Sequence, residues 1–411
     1  MARRVLRFEG RGRRHEKRGR GAEDAATGLE LVPAPPVLRS EYLDHGDRLW
    51  TAGRADEALA AYEDGIGHDV DSQLLHKRVV ALVDATRGRE ALFAHYGLER
   101  LDDREIAIDP GEILCCMTVR EEADRLPFFL EYHKRLGVDR FLVVDNGSRD
   151  ATCDLLLGDP ATHLWRTPMN YRSANYGTAW IEVLAHSFGC AHWCLVADPD
   201  EFLYYPDVET RSLHDLCADL DRAGKVAMPV VLLDMYPDGP VREAVCRPGE
   251  DPRAVCSFFD RRFFHSRHEA TGPWANCEGF HGGVRRRVFG EGNNPFLTKV
   301  PLFRYSDARV IGGGVHSTDA DPQQIASERG ALLHFKFTAR FVERVEDEIR
   351  RRSDWNDLSE SYLDYARTLA REPDLILWDL ESSVRLGDSR QLVELGIMQL
   401  ADEGTRPTRV G

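Results

Sequence analysis

Apolar runs of strand length alternate with helical patterns through the middle of this chain. The continuous apolar stretches are "EILCCMTV", "RFLVV" and "WCLVA". The segment from Arg125 to Leu136 has helical spacing and stops at Gly137, and "GTAWIEVLAHSFG" predicts another helix before the third stretch. Strands that are apolar throughout and are separated by helices predict an α/β fold, with a mostly parallel sheet covered by helices on both faces.

Helical patterns also flank this region and divide the chain into four parts. Residues 1–38 combine a basic stretch with the Pro-rich "VPAPPV", which predicts a disordered tail and linker. Residues 39–108 predict a helical segment and residues 109–337 the α/β domain. Residues 338–411 predict a C-terminal helical extension.

The spacing of Trp50, Gly53, Ala58 and Tyr62 resembles one tetratricopeptide-type hairpin, although an ordinary helical cap fits the same pattern. One such hairpin cannot bury its apolar face alone. We therefore expect residues 40–100 to pack against the next domain or against a protein partner.

Composition narrows the class of protein. The 411 residues carry a net charge of −15, which argues against binding to nucleic acid. No stretch approaches the roughly 18–20 uncharged apolar residues of a membrane helix, so we expect no integral membrane segment and a cytoplasmic protein. The basic N-terminus leaves peripheral contact with a membrane as an alternative. The nine cysteines are scattered and do not form a disulfide framework.

Three carboxylates follow the third apolar stretch directly. In an extended chain Asp198 and Asp200 would point to one side, with Pro199 between them and Glu201 on the other side. Two such carboxylates suit Mg²⁺ or Mn²⁺, and a solvated acidic turn is the alternative. Ligands of parallel sheets bind beyond the carboxyl ends of the strands, so the position favours a metal site.

The later segment "LLHFKF" offers further polar groups. Alternation along a strand places His334 and Lys336 on one face, which is either part of a site or simply solvated. A cation such as Lys336 would stabilise a phosphate leaving group. Arg285, Arg286 and Arg287 offer more cations, and no glycine-rich phosphate loop of the Rossmann or P-loop type is present.

Several motifs in order resemble one enzyme family. The segments "VREEADRLPFFLEYHKRLGVDRFLVVDNGSRDAT", "YRSANYGTAW" and "WCLVADPDEFLYYP" resemble family 2 glycosyltransferases with the GT-A fold, over roughly residues 112–336. The resemblance implies metal-dependent transfer of a sugar, with inversion, from a nucleotide diphosphate donor to a glycan or small-molecule acceptor. It implies Mn²⁺ or Mg²⁺ as the cofactor and favours a UDP-sugar as the donor.

The same resemblance implies roles for individual residues. Those expected to contact the nucleotide or donor are Thr118, Arg120, Glu122, Asp145, Arg172, Asn175 and Asp198, joined by Lys336. Those expected to hold the metal are Asp198, Asp200 and His334, with His316 as a competitor. The candidates for the general base are Glu278, then Asp234, then Asp260.

Some of these residues have a second interpretation. Asp145 in "DNGS" also suits an Asx-type turn, and Arg172 and Asn175 also suit the loop before a helix. Where the family often has Asn-Glu, this chain has Glu121-Glu122. The identity of the nucleotide base in the donor therefore stays open.

Two other functions fit part of the same sequence pattern. A nucleotidyltransferase would share the carboxylates at the strand end, but "TVREEADRLP" lacks the glycine of its usual loop. A non-catalytic scaffold with a relic transferase domain is the other alternative, and the presence of both Asp198 and Asp200 together with His334 argues against it.

Overall fold

The computed structural model describes residues 41–68, 72–266, 279–306, 313–316, 318, 320–352 and 360–402. The tail and linker predicted for residues 1–38 lie outside these ranges, and so does the candidate base Glu278. Within the described ranges no helix is both long and apolar enough to cross a bilayer.

Helices and strands alternate along most of the described chain. The helices are α1 Glu41–Thr51, α2 Ala55–Gly67, α3 Ser72–Arg87, α4 Arg89–His95, α5 Leu126–Leu136, α6 Thr152–Gly158, α7 Thr178–Phe188, α8 Leu213–Arg222, α9 Gly283–Phe289, α10 Ala339–Arg352, α11 Glu360–Arg371 and α12 Ser389–Glu394. Short 3₁₀ turns span Val241–Glu243, Pro252–Ala254, Gly313–Val315 and Pro322–Gln324.

The strands are β1 Glu99–Arg100, β2 Ile113–Val119, β3 Arg140–Asp145, β4 Thr162–Arg166, β5 Trp193–Val196, β6 Glu201–Tyr204, β7 Ala227–Asp234, β8 Phe258–Asp260, β9 Phe263–Ser266, β10 Gly279–Gly282, β11 Thr298–Arg304, β12 Gly330–His334 and β13 Ser383–Arg385. The apolar stretches of the sequence correspond to β2, β3 and β5, and "LLHFKF" overlaps β12.

The central sheet has the strand order β1-β4-β3-β2-β5-β11-β7-β12-β6. Strands β4, β3, β2, β5, β7 and β12 run in one direction, whereas β1, β11 and β6 run in the other. The fold is therefore α/β with a mixed, mostly parallel sheet. This confirms the predicted class and adds antiparallel members that the apolar pattern did not indicate.

The chain changes direction across the sheet beside β2. From β2 it builds β3 and then β4 on one side, and it later places β5 on the other side of β2. A crevice forms beyond the carboxyl ends of strands at such a reversal, and open α/β sheets bind ligands there. The ends of β2 and β5 thus mark the expected position of a site.

Both faces of β2 are buried, and its alternating side chains enter two different cores. Cys115 and Met117 pack on the face covered by α5. Leu114 and Cys116 pack on the face covered by α7. A strand that is buried on both faces has no solvent-facing positions for polar residues. This explains the uninterrupted apolar sequence of β2.

The N-terminal helices pack against the sheet domain. Leu43, Tyr62 and Val79 belong to the same core as Trp180 of α7. The expected packing of residues 40–100 on the next domain is therefore present. A protein partner for this segment stays a prediction.

Helices α10 and α11 pack near the carboxyl edge of the sheet. Phe341 and Tyr365 share a small core with Tyr236, which follows β7. The C-terminal extension is thus placed beside the crevice between β2 and β5.

Candidate active site at the carboxyl edge of the sheet

A cavity of about 670 Å³ opens at the carboxyl ends of β2 and β5. The candidate residues that line it are Thr118, Arg120, Glu122, Asp198, Asp200, His334 and Lys336. Helices α10 and α11 add Arg340, Arg344 and Tyr362. Most of the predicted site residues are therefore brought together at one place.

The segment from Asp198 to Glu201 is a turn and not the extended chain that the sequence suggested. The Glu201 N–H donates to the Asp198 carbonyl at 2.8 Å, which closes the turn through Pro199 and Asp200. Proline has the φ angle that the second position of such a turn requires. Asp198 and Asp200 both still line the cavity, but turn geometry and not strand alternation places them there.

Glu201 anchors the turn and does not line the cavity. Its carboxylate accepts a 2.6 Å bond from Lys299 Nζ, and both side chains are buried. The Asp198 N–H approaches the other oxygen at 3.4 Å. Glu201 therefore supports the turn through a buried ion pair and a backbone contact.

A chain of three side chains links Asp234, His334 and Asp200. Asp234 Oδ1 lies 2.6 Å from His334 Nδ1, and His334 Nε2 lies 3.8 Å from Asp200 Oδ2. The proton on Nδ1, assigned from the contact with Asp234, is donated to that carboxylate, and Nε2 is the ring nitrogen that faces Asp200. The geometry gives Asp234 a role in orienting His334, and its role as a general base stays a prediction.

Arg285 pairs with Asp234, the first of these three side chains. Its Nη2 atom lies 2.7 Å from Asp234 Oδ1 and is nearly enclosed by protein. Burial raises the pKa of Asp234, but the charge of Arg285 and the contact with His334 outweigh this and hold the pKa well below its ordinary value. Arg285, one of the three arginines that the sequence offered as cations, is thus paired with Asp234.

The two carboxylates of the turn have opposite pKa shifts. Burial would raise the pKa of Asp200, but the charges of Arg125, His334 and nearby cations hold it well below its ordinary value. The Asp198 residue is exposed to the open side of the cavity, but the surrounding protein, followed by the charge of Glu201, still raises its pKa to about 7. Paired carboxylates with divergent pKa values are typical of functional sites.

Lys336 lies just beyond β12, because that strand ends at His334 and the Phe335 N–H bonds to the Asp200 carbonyl instead. Its Nζ atom stands 5.0 Å from the centre of the Tyr365 ring and 5.8 Å from that of Tyr362. Burial, then the charge of Arg285, lowers the pKa of Lys336 to about 7. Lys336 and His334 both line the cavity, although Lys336 lies beyond the strand whose alternation was expected to place it there.

Glu122 is surrounded by guanidinium groups. Arg125 lies 3.2 Å from its carboxylate, Arg340 lies 3.8 Å away and Arg344 is hydrogen-bonded to it. Arg125 also reaches Asp200 at 3.4 Å. Glu122 thus holds arginines at the cavity wall, and direct contact with a nucleotide base stays a prediction.

At the end of β3, Asp145 makes the turn that was its alternative interpretation. Its carboxylate is fully buried and accepts bonds from the Gly147 and Ser148 N–H groups and from Arg166 Nε. Asn146 lines the cavity at this strand end. Contact of Asp145 with a nucleoside stays a prediction.

The residues before α7 are only partly placed at the cavity. Tyr171 lines it, whereas Asn175 donates from Nδ2 to Gln73 of α3 at 2.9 Å. Arg172 is exposed, and its N–H bonds to Asn170 Oδ1. The loop before a helix, which was the alternative interpretation for Arg172 and Asn175, describes their position.

The remaining candidates lie elsewhere. His316 Nδ1 contacts the Thr298 carbonyl at 2.8 Å, and the buried Asp260 forms an ion pair with the partly exposed Arg287. Glu278 is outside the described residues. Asp260 is thereby engaged in packing of β8 against α9.

Sequence reasoning missed Arg340, Arg344 and Tyr362. The helix "ARFVERVEDEIRRR" has the mixed charges of an ordinary solvated helix face, so no local signal separates Arg344 from its neighbours. Only the packing of α10 beside the ends of the strands places these side chains at the cavity.

The donor set of the cavity fits a hard divalent cation in part. Two ligands about 2.1 Å from one octahedral ion lie roughly 3.0 Å apart when adjacent and 4.2 Å apart when opposite, so the 3.8 Å between Asp200 and His334 needs a small side-chain adjustment to hold an ion. The contact of His334 with Asp234 is the outer-shell arrangement usual for metal-binding histidines. Among the described residues, no three His, Cys, Asp or Glu side chains are already placed to hold a metal ion.

Neither protein-family models nor curated proteins gave a match to this chain.

Proposed function

We propose that this protein is a metal-dependent glycosyltransferase that moves a sugar, with inversion, from a nucleotide diphosphate donor to a hydroxyl of a glycan or small-molecule acceptor. The observation that carries the proposal is the contact between Asp200 and His334. These residues are far apart in sequence but lie 3.8 Å apart at the carboxyl edge of the sheet, with His334 oriented by Asp234.

Asp200 and His334 would hold Mn²⁺ or Mg²⁺, and Asp198, which opens into the same cavity, would join them. When bound, the ion neutralises charge that develops on a diphosphate leaving group. Such ions are commonly held by one or two carboxylates together with substrate phosphates, so the site does not need three preformed protein ligands.

The charges around the cavity support a diphosphate substrate. Arg125 and Lys336 lie close enough to Asp200 to lower its pKa. Fixed cations near a departing phosphate stabilise the transition state and require no reorganisation during the reaction. The motifs shared with family 2 glycosyltransferases supply the sugar-transfer half of the proposal.

Turnover of nucleotide sugars tests the proposal. The purified chain is incubated with UDP-, GDP- and ADP-sugars and Mn²⁺, and release of the free nucleotide diphosphate is measured. We expect Asp200→Asn to reduce turnover by about 100-fold or more, because a charge that stabilises the transition state is lost. Asp103→Asn, at an exposed carboxylate outside the cavity, is the matched control and should retain full activity.

Binding provides a readout that does not need the acceptor. UDP with Mn²⁺ should raise the melting temperature of the wild-type chain and of Asp103→Asn, since a ligand of the folded state stabilises it. The proposal fails if no nucleotide diphosphate binds with Mn²⁺, or if Asp200→Asn remains fully active in EDTA.

A further inference from the structure

Helix α10 places the guanidinium group of Arg344 at the cavity, and no sequence motif indicated this residue. Arg344 is hydrogen-bonded to Glu122, which follows β2 and lies more than two hundred residues earlier in the chain. The side chain of Arg344 is 39% exposed, compared with 11% for Arg125 and 22% for Arg340, which contact the same carboxylate. Arg344 is thus the most open of these three arginines.

The neighbouring arginines each have a further ionic contact. Arg125 contacts Asp200, and Arg340 contacts Asp124 and the Glu121 carbonyl. Within the described part of the chain, Glu122 is the carboxylate in ion-pair contact with Arg344. One terminal nitrogen of the Arg344 guanidinium can therefore stay hydrogen-bonded to Glu122 while the other binds a ligand.

Lys336 stands beside Arg344 without a carboxylate in ion-pair contact, as far as the described residues extend. The rings of Tyr365 and Tyr362, both from α11, hold its ammonium group. Arg344, Lys336 and Asp200 line the same cavity. Two cations and a metal-binding pair around one cavity suit a ligand with several negative charges.

We propose that Arg344, with Lys336 beside it, binds the phosphates of the nucleoside diphosphate, so that α10 and α11 complete the donor site. This proposal rests on the proposed function. A guanidinium fork matches two phosphate oxygens and Lys336 supplies a point charge, a combination that favours a diphosphate over a neutral nucleoside. Glu122 positions Arg344 before the ligand arrives.

The test compares a nucleoside diphosphate with its nucleoside. UDP and uridine, and in parallel GDP and guanosine, are titrated calorimetrically into the full-length chain in Mn²⁺. We expect Arg344→Gln to weaken binding of the diphosphate by about 10- to 100-fold, the loss of a charge-assisted contact, and to leave binding of the nucleoside unchanged. Arg371→Gln, at an exposed arginine at the end of α11, should bind both ligands as the wild type does.

Arg344→Lys keeps the charge and most of the packing. It should show an intermediate affinity for the diphosphate, because lysine cannot make the two parallel hydrogen bonds of a guanidinium group. The proposal is overturned if Arg344→Gln and Arg344→Lys bind the diphosphate as tightly as the wild type, or if diphosphate and nucleoside weaken equally. The first outcome leaves the proposed function intact. Failure of the wild type to bind any nucleoside diphosphate overturns the proposed function as well.

Discussion

Asp198 and Asp200 show how two neighbouring carboxylates of one turn acquire different properties. Asp200 is buried beside cations that outweigh the effect of burial on its pKa. Asp198 lies near Glu201 and Asp200, and Lys299 only partly offsets their charges. Asp200 is therefore kept ionised, whereas binding of a proton or a cation stabilises Asp198.

The raised pKa of Asp198 predicts how stability changes with pH. The ordinary pKa of an aspartate is about 3.9, and in the folded chain that of Asp198 is about 7. Between these values the folded state binds a proton that the unfolded state releases, so this residue lowers stability as pH rises from 4 to 7. Asp198→Asn removes the effect, and its melting temperature relative to the wild type should therefore increase with pH.

Thermal unfolding in EDTA at several pH values between 4 and 8 measures this difference. Asp103→Asn, at an exposed carboxylate, should follow the wild type at every pH. A difference between Asp198→Asn and the wild type that stays constant or shrinks with rising pH would contradict the assignment.

At the scale of elements, α1 and α2 pack closely because a glycine faces a tyrosine. A Cβ atom on Gly46 would lie 2.2 Å from Cε1 of Tyr62, and the Tyr62 ring is fully buried. The Tyr62 hydroxyl donates to Asp47 at 2.7 Å, which holds the ring in place. This contact leaves no room for a side chain at position 46.

Gly46→Ala should therefore destabilise the chain by about 1–3 kcal/mol, because overpacking outweighs the better helix propensity of alanine. Gly67→Ala is the matched control in α2, since no atom lies within 4 Å of an added Cβ there. Urea unfolding compares the two. Equal stability of both variants would show that Tyr62 moves aside without cost.

At the scale of the whole molecule, a buried ionic network joins the N-terminal helices to the sheet domain. Lys77 of α3 lies 2.7 Å from Glu182 of α7, and both side chains are almost fully buried. The Tyr305 hydroxyl, just after β11, donates to the same Glu182 oxygen at 2.6 Å. Each charge depends on the other, because neither is solvated.

Lys77→Met should destabilise the chain by about 3–5 kcal/mol, since it leaves the Glu182 charge buried without its cation. The double variant Lys77→Met, Glu182→Met should recover most of that loss, because an apolar pair of similar volume can replace a buried ion pair. Denaturant unfolding of the wild type, the single variant and the double variant measures the coupling. A double variant no more stable than Lys77→Met would contradict this account.

The hydrophobic pattern determined the class of fold and the general position of the site. Strands β2, β3 and β5 are apolar on both faces because helices or other packed residues cover both sides, and that burial is visible in the sequence itself. Polar residues can stand only where these strands leave the core. The motifs with Thr118, Asn146 and Asp198 therefore marked the carboxyl edge of the sheet before any contact was known.

Tertiary structure alone decided which side chains meet there. The contact of His334 with Asp234 and Asp200 depends on β12 lying between β7 and β6, and strand order is not encoded in local periodicity. Arg344 reaches Glu122 because α10 packs beside the strand ends, although its sequence is that of a solvated helix. Asp145 forms its turn with neighbours in sequence, as "DNGS" indicated, whereas its contact with Arg166 depends on β4 lying beside β3.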